Sequence, residues 1–388
     1  MRGITWRPTP FREFVLKVHS RCNLACDYCY MYELADKSWR GTNAVMGDDV
    51  LDAACRRIGV HATTHAIPAL RIVLHGGEPM LLGATRLARV AERLRAAVPA
   101  ATTVDVLVQT NGLLLTDAAL ATLAGAGIRV GVSFDGDRAA TDRHRRYANG
   151  RSSYDAVDRA LRRLRDRPAA FAGILSVVDL ANDPVATYEA LLAYEPPMVD
   201  FLLPHANWGS PPPGSSAGAG APYGDWLVAA FDRWYGAPVR ETRVRFFEEV
   251  LNLVLGGQSR TEVVGLSPVA TLVFNVDGSY EQVDTLRSAY PGAVDTGLNA
   301  FAHDLDEVLL HPAIVDRQLG VVALSDTCRS CALHRVCGGG YYPHRYRPGS
   351  GFRNPSVYCA DLGRLITHAA GRLRADVDRL RGRAKQPA

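Results

Sequence analysis

"VHSRCNLACDYCYMYE", residues 18–33, places Cys22, Cys26 and Cys29 within eight positions, with Tyr28 just before the third thiol. The run before it, "FVLKV" at 14–18, is rich in β-branched and aromatic residues and reads as a strand. The thiols therefore lie at the C-terminal end of a first strand, where parallel α/β folds gather their chemistry. The spacing is C-x3-C-x2-C. Three thiolates are one short of a closed tetrahedral zinc site. Three can instead hold three irons of a 4Fe–4S cube and leave the fourth iron open. His19 is too near along an extended strand to complete the set. Spacing alone leaves zinc and iron–sulfur both open.

Working outward, strands and helices alternate. "RIVLH" (71–75), "VDVLVQ" (104–109), "IRVGVSF" (128–134), "FAGILSVV" (171–178) and "VDFLL" (199–203) read as further strands. Helical patterns at 47–59, 83–97, 116–125, 153–166 and 184–194 separate them. Short, nearly continuous apolar strands between helices indicate βαβ units and a parallel sheet. Six units predict an α/β fold, a partial (β/α)6 barrel. "NWGSPPPGSSAGAGAP" (207–222) is too rich in Pro, Gly and Ser for regular structure and is expected to be a linker or a lid. Residues 223–255 read as helical, 271–284 as a hairpin turning at Asp277-Gly278, and 361–383 as a charged, solvated helix.

Other segments decide between the two readings of the thiols. "HGGEP" (75–79) follows the second strand, "QTNG" (109–112) the third and "SFDG" (133–136) the fourth. Each alone is compatible with a simple turn. Together with "CNLACDYCY", in this order, they resemble the motifs of the radical S-adenosylmethionine (SAM) enzymes. The resemblance implies that Cys22, Cys26 and Cys29 hold a 4Fe–4S cluster whose open iron binds SAM. It implies cleavage of SAM to a 5′-deoxyadenosyl radical that removes hydrogen from an unactivated carbon. It assigns Tyr28, Gly76, Gly77, Glu78, Pro79, Gln109, Asn111, Ser133 and Asp135 to the SAM surroundings, with Ser176 a weaker candidate. Within that set Glu78 would hold the SAM ammonium by a charge-assisted contact.

Four more cysteines, Cys328, Cys331, Cys337 and Cys359, have the spacing C-x2-C-x5-C-x21-C. Four thiolates suit a closed zinc site or a fully ligated cluster equally. The stretch resembles the SPASM extension of peptide- and protein-modifying radical SAM enzymes, which implies an auxiliary 4Fe–4S cluster here. A full SPASM domain carries a second one. Its ligands are missing: Tyr341 stands four residues after Cys337, and residues 56–327 hold no cysteine. One auxiliary cluster is therefore expected. "FREFVLKVHSRCNLACDYCYMYELADKSW" (11–39), "VDFLLPHANW" (199–208) and "CGGGYYPHRYRPGSGFRNPSVYCADL" (337–362) are similar to the FxsB-like branch. That likeness implies a maturase of a ribosomally synthesised precursor peptide, forming a side-chain crosslink and supplied by a flavodoxin- or ferredoxin-like electron donor. Sulfatase-activating-like oxidation of a protein Cys or Ser is the alternative, and a non-enzymatic, zinc-stapled peptide-binding module a further one. The expected divisions are 1–222 for the barrel, 223–265 for a helical connector and 266–388 for the SPASM-like domain.

Composition adds exclusions. Lys and Arg number 44 against 40 Asp and Glu, without a basic block carrying interleaved aromatics, so no nucleic-acid partner is expected. No secretory signal or apolar run of spanning length is present in the sequence, and a cytoplasmic protein without a membrane partner is expected. His205 ends the sixth strand and is the candidate catalytic base. "DRHRRY" (142–147) reads as a solvated loop or a carboxylate anchor. His61 and His65 read as a surface helix end, and Cys55 as core.

Overall fold

A computed structural model of the chain describes residues 6–214 and 220–384. Six strands follow one another in the sheet in chain order: β1 (Glu13–His19), β2 (Ala69–Gly76), β3 (Thr103–Thr110), β4 (Ile128–Ser133), β5 (Phe171–Val177) and β6 (Met198–Leu202). All neighbours are parallel. Alternation along each strand sends one set of side chains outward under the helices and the other onto the concave face. In β1 the outward set is Phe14, Leu16 and Val18, all fully buried. The helices answer with 3.6-residue periodicity. Helix Tyr154–Arg165 buries Val157, Ala160, Leu161 and Leu164 and leaves its arginines in water. Helix Pro184–Leu192 starts where sequence rules place a start: Asp183 accepts from the Ala186 amide and Pro184 occupies the first turn.

The sheet is wider than the six expected strands. β7 (Arg243–Val244) adds in parallel beyond β6, so the 223–265 connector is two helices, Pro222–Tyr235 and Arg245–Val254, divided by a strand of the sheet. At the other edge β8 (Thr271–Phe274) pairs in parallel with β1. β9 (Ser279–Glu281) and β10 (Asp295–Asn299) continue antiparallel from it. The hairpin placed by sequence in a separate 266–388 domain thus extends the barrel sheet. The reason is physical: β1 would otherwise expose a row of unpaired backbone groups.

Two further expectations change. Residues 142–147 are not simply a solvated loop: 142–144 close helix Arg138–His144, and Arg145 turns inward, 7% exposed. The last helix, Cys359–Ala384, is not merely a solvated face, because it buries Leu362, Leu365, Ile366 and Ala369. It packs on helix Pro222–Tyr235, where a Cβ on Gly224 would lie 2.8 Å from the Asp361 backbone. The Gly224 amide instead donates to Asp361 Oδ1 at 2.9 Å. The expected linker or lid at 207–222 is tied down at its start: Asn207 Nδ2 donates to the Ser288 carbonyl and Trp208 Nε1 to the Pro355 carbonyl. Its residues 215–219 lie outside the described residues.

Candidate active site

The loop after β1 is shaped by its own backbone bonds. Cys29 N donates to the Cys26 carbonyl at 3.1 Å, and Leu24 N donates to Cys22 Sγ at 3.4 Å. Burial pushes the Cys22 thiol up to about 11 and Cys29 up to about 12, and raises Cys26 as well, with the neighbouring thiols adding to each rise for Cys22 and Cys29. Three half-buried thiols that resist ionisation need cations to become thiolates. Arg145 supplies part of that field, opposing the rise at Cys22 and Cys26. It donates to the Tyr28 hydroxyl at 2.8 Å, which donates to Asp135 Oδ2 at 2.5 Å. Asp135 Oδ1 in turn accepts from Val177 N. Arg145 is the residue that sequence reasoning missed here. Its only signal was the Arg-rich 142–147 run.

The donor sets fit clusters better than single ions. Among the described residues, His61, His65 and Asp306 form the only trio of His, Cys, Asp or Glu with ligand atoms all within 4.8 Å of one another. Zn–S bonds of about 2.3 Å would draw tetrahedral sulfurs closer together than that. Cysteines on different irons of one cluster stand farther apart. Cys328, Cys331, Cys337 and Cys359 form one group: Cys337, pushed up to about 11 chiefly by burial, also feels Cys359 and Cys328, and Cys359 feels Cys328 and Cys331.

The other motifs converge on the first loop. Gly77 admits no side chain, since a Cβ there would come within 1.8 Å of Tyr32 Oη and 2.5 Å of the Arg21 carbonyl. Gly76, at φ 137°, and Gly77 bend β2 back so that Gly77 N reaches the His19 carbonyl and Glu78 N the Arg21 carbonyl. Glu78 is 1% exposed. Its Oε1 accepts from Met80 N at 2.9 Å and Thr110 Oγ1 at 2.6 Å, and its Oε2 from Asn111 N at 2.8 Å. Burial raises its pKa against those three bonds. Pro79 opens the short turn Pro79–Leu82 that follows. Asn111 Nδ2 donates to Asn23 Oδ1 at 2.7 Å, and Gln109 Nε2 to Ser133 Oγ at 3.0 Å. Ser176 does not join them. It pairs in register with Phe201, whose ring packs on Trp226 and Phe247 of the helices, so it faces the helix layer.

A cavity of about 600 Å³ opens on the concave face, lined by Tyr30, His75, Gln109, Leu107, Leu175 and Met198 among others. Behind it lies a buried ion network. Lys17 pairs with Glu281 and, at 2.8 Å, with Asp284; Arg287 pairs with Glu281 at 2.6 Å and Asp36 at 3.1 Å. Three carboxylates thus face two cations. His75 Nδ1, on the cavity wall, is 3.5 Å from Asp284 Oδ2. Burial would raise the Asp284 pKa, yet Lys17 and His75 hold it well below the usual carboxylate range. His205 is not part of this lining. Its ring stands edge-on to Tyr30 at 4.8 Å, near His344 and Tyr341, and burial lowers its pKa to about 4. Tyr341, at the position where a second auxiliary cluster would need a cysteine, shares a 2.5 Å hydrogen bond with Thr285 Oγ1.

Residues 16–175 match the Radical SAM superfamily. The serine-type anaerobic sulfatase-maturating enzyme of Bacteroides thetaiotaomicron is 26% identical over 66% of this chain and 66% of its own. The cysteine-type enzyme of Clostridium perfringens is 24% identical over 94% of this chain and 97% of its own. Two solved structures share the fold. Native anSMEcpe with bound AdoMet and Kp18Cys peptide has a TM-score of 0.79 at 21% identity, covering 95% of this chain and 99% of that one. Streptococcus suis SuiB bound to precursor peptide SuiA has 0.59 at 15%, covering 90% and 76%. Among the described residues no helix is long and apolar enough to cross a membrane. The non-enzymatic, zinc-stapled reading falls: residues 16–175 carry a radical SAM domain, an oxidoreductase domain, and the chain is related to the anaerobic sulfatase-maturating enzymes.

Proposed function

We propose that the chain oxidises a Cys or Ser side chain in a peptide segment that enters the concave cavity, the chemistry its sulfatase-maturating relatives are named for. The observation that carries the reading is the cavity itself, about 600 Å³ and within the range of small-ligand sites, which runs along the concave face of the sheet and includes Tyr30, next to Cys29, and Gln109 in its lining. With cluster and SAM bound, the site supplies a carbon radical that takes a hydrogen atom from the substrate. The chain's own residues do the rest. Cys22, Cys26 and Cys29 hold the first cluster, and Cys328, Cys331, Cys337 and Cys359 a single auxiliary one. Glu78 offers its Oε2, which accepts a single protein bond, to the SAM ammonium. Tyr28, Asp135 and Arg145 fix the cysteine loop, Gly76, Gly77 and Pro79 shape the facing turn, and Gln109, Asn111 and Ser133 line the approach.

Once the hydrogen atom has gone, one electron and one proton remain to be lost: the electron would pass to the group held by Cys328, Cys331, Cys337 and Cys359, and the proton we assign to His75. It lines the cavity, and its Nδ1 is 3.5 Å from the Asp284 carboxylate. His205 has no carboxylate partner and keeps a packing role against Tyr30. The second reading is an intrapeptide crosslink on a ribosomal precursor peptide, the FxsB-like branch. Tyr341 in place of a cysteine favours it, as does the precursor peptide named for SuiB. Incubation with SAM, reductant and a Ser-containing peptide distinguishes them. Side-chain oxidation gives 5′-deoxyadenosine and a peptide lighter by two hydrogens that reacts with a hydrazide. A crosslink gives the same mass loss without an aldehyde, and fragments missing between the joined residues. A peptide of unchanged mass overturns both.

A further inference from the structure

We propose that His61, His65 and Asp306 form a divalent-cation site of the zinc class, joining the first barrel helix to the C-terminal part of the chain. His61 and His65 are one helical turn apart at the end of helix Asp48–Thr64, so their rings share one face. Their ring centroids are 4.5 Å apart. Asp306 enters from the first turn of helix Leu305–Leu309, 241 residues away from His65 in the chain. Its Oδ1 is 2.7 Å from His65 Nε2 and 3.5 Å from His61 Nδ1.

A His–Asp hydrogen bond on the surface would explain His65 and Asp306 alone. It does not explain His61. That side chain is 1% exposed, and neither ring nitrogen makes a well-formed hydrogen bond; the polar groups nearest to them are the Phe11 backbone and the Asp306 carboxylate. Phe11 and Phe14 pack on its ring at 5.9 and 6.1 Å, and Asp306 is the carboxylate that the ring faces. Buried polar atoms are ordinarily satisfied, and an unsatisfied imidazole aimed at a carboxylate is what a ligand set looks like before its ion. Two imidazoles and one carboxylate suit zinc rather than calcium or magnesium, which prefer oxygen. Three protein ligands leave one tetrahedral position, and Asp306, half-exposed, keeps that side open to water. The site shares no residue with either cysteine group. It would reinforce a junction that Arg57 already spans by pairing with Asp304 and donating to the Ala300 carbonyl.

The test uses the holoenzyme, so that iron occupies the thiols. After treatment with a mild chelator, the protein is incubated anaerobically with zinc, desalted, and its zinc and iron are counted. About one zinc per chain is expected in the wild type, and none in His65→Ala or Asp306→Asn, with iron unchanged in all three. Both substitutions are near the surface and spare the buried His61. Added zinc should also raise the melting temperature of the wild type and of neither variant. A wild type that retains no zinc overturns the site, and so do variants that retain as much as the wild type.

Discussion

Cys22, Cys26 and Cys29 stand among charged partners, whereas Cys328, Cys331, Cys337 and Cys359 stand in a glycine-rich clasp. Around the first group Arg145, Tyr28, Asp135 and Glu78 are buried or half-buried, and each is held by a named hydrogen bond. The second group has Cys331 and Cys359 on the surface, and three consecutive glycines, 338–340, all at positive φ, turn the chain sharply after Cys337. A Cβ on Gly338 would lie 1.7 Å from the Gly265 carbonyl, so this turn requires glycine. The difference separates two tasks for the same sulfur chemistry. A site that must present a small charged molecule to a cavity needs a rigid polar frame. A site that only has to hold its group needs enough ligands and a backbone able to wrap it.

The comparison can be broken by removing the first set. Replacing Cys22, Cys26 and Cys29 by Ala should abolish SAM cleavage and remove about half of roughly eight irons, while the clasp keeps its share. Iron counting and chromatography of 5′-deoxyadenosine check this; undiminished iron would refute the division of labour, and about twelve irons in the wild type would refute a single auxiliary cluster. Next in size is the polar frame. A charge-assisted contact contributes roughly 1.5–3 kcal/mol, so Glu78→Gln should weaken SAM binding about ten- to a hundred-fold. Calorimetry on the cluster-loaded protein measures it, and unchanged affinity removes Glu78 from the frame.

Between the two groups lies His205, whose pKa falls from an ordinary value near 6.5 to about 4 because burial disfavours its charged form. The unfolded chain therefore binds a proton that the folded one refuses. The contribution of His205 to stability should be level above about pH 6.5 and fall as pH drops toward 4, by about 2 kcal/mol near pH 5. His205→Phe should flatten that part of the profile in urea unfolding at pH 7.5 and 5; an equal slope in both proteins counts against it. The smallest effect belongs to the strap between the regions. Trp208→Phe loses the indole bond to Pro355 and should cost about 0.5–1.5 kcal/mol by the same measurement.

Much of this was legible in the sequence. The six strands and five helices of the βα alternation follow from periodicity, with ends shifted by a few residues, because each element carries its own apolar face. The motif glycines and Glu78 were visible because backbone needs of this kind admit few residue types. Arg145 was hidden: its burial depends on Tyr28, 117 residues away in the chain, and an Arg-rich run reads locally as solvated. Ser176 misled for the opposite reason, since a hydroxyl near a strand's end carries no mark of which face it takes. β7 has only two residues, too short for any period. The parallel pairing of β8 with β1 is a long-range choice that no local pattern announces.

That pairing has a consequence for the newborn chain. Glu13 and Thr271, bonded across the β1–β8 seam, are 258 residues apart. At about 5–20 residues per second, the ribosome leaves the β1 edge bare for roughly 13–50 s after β1 is made. During that interval the growing sheet offers an open strand rimmed by free cysteines. Chaperone shielding and the delivery of iron should therefore be matters of timing, and shortened versions ending before Thr271 should aggregate rather than accumulate as a working barrel.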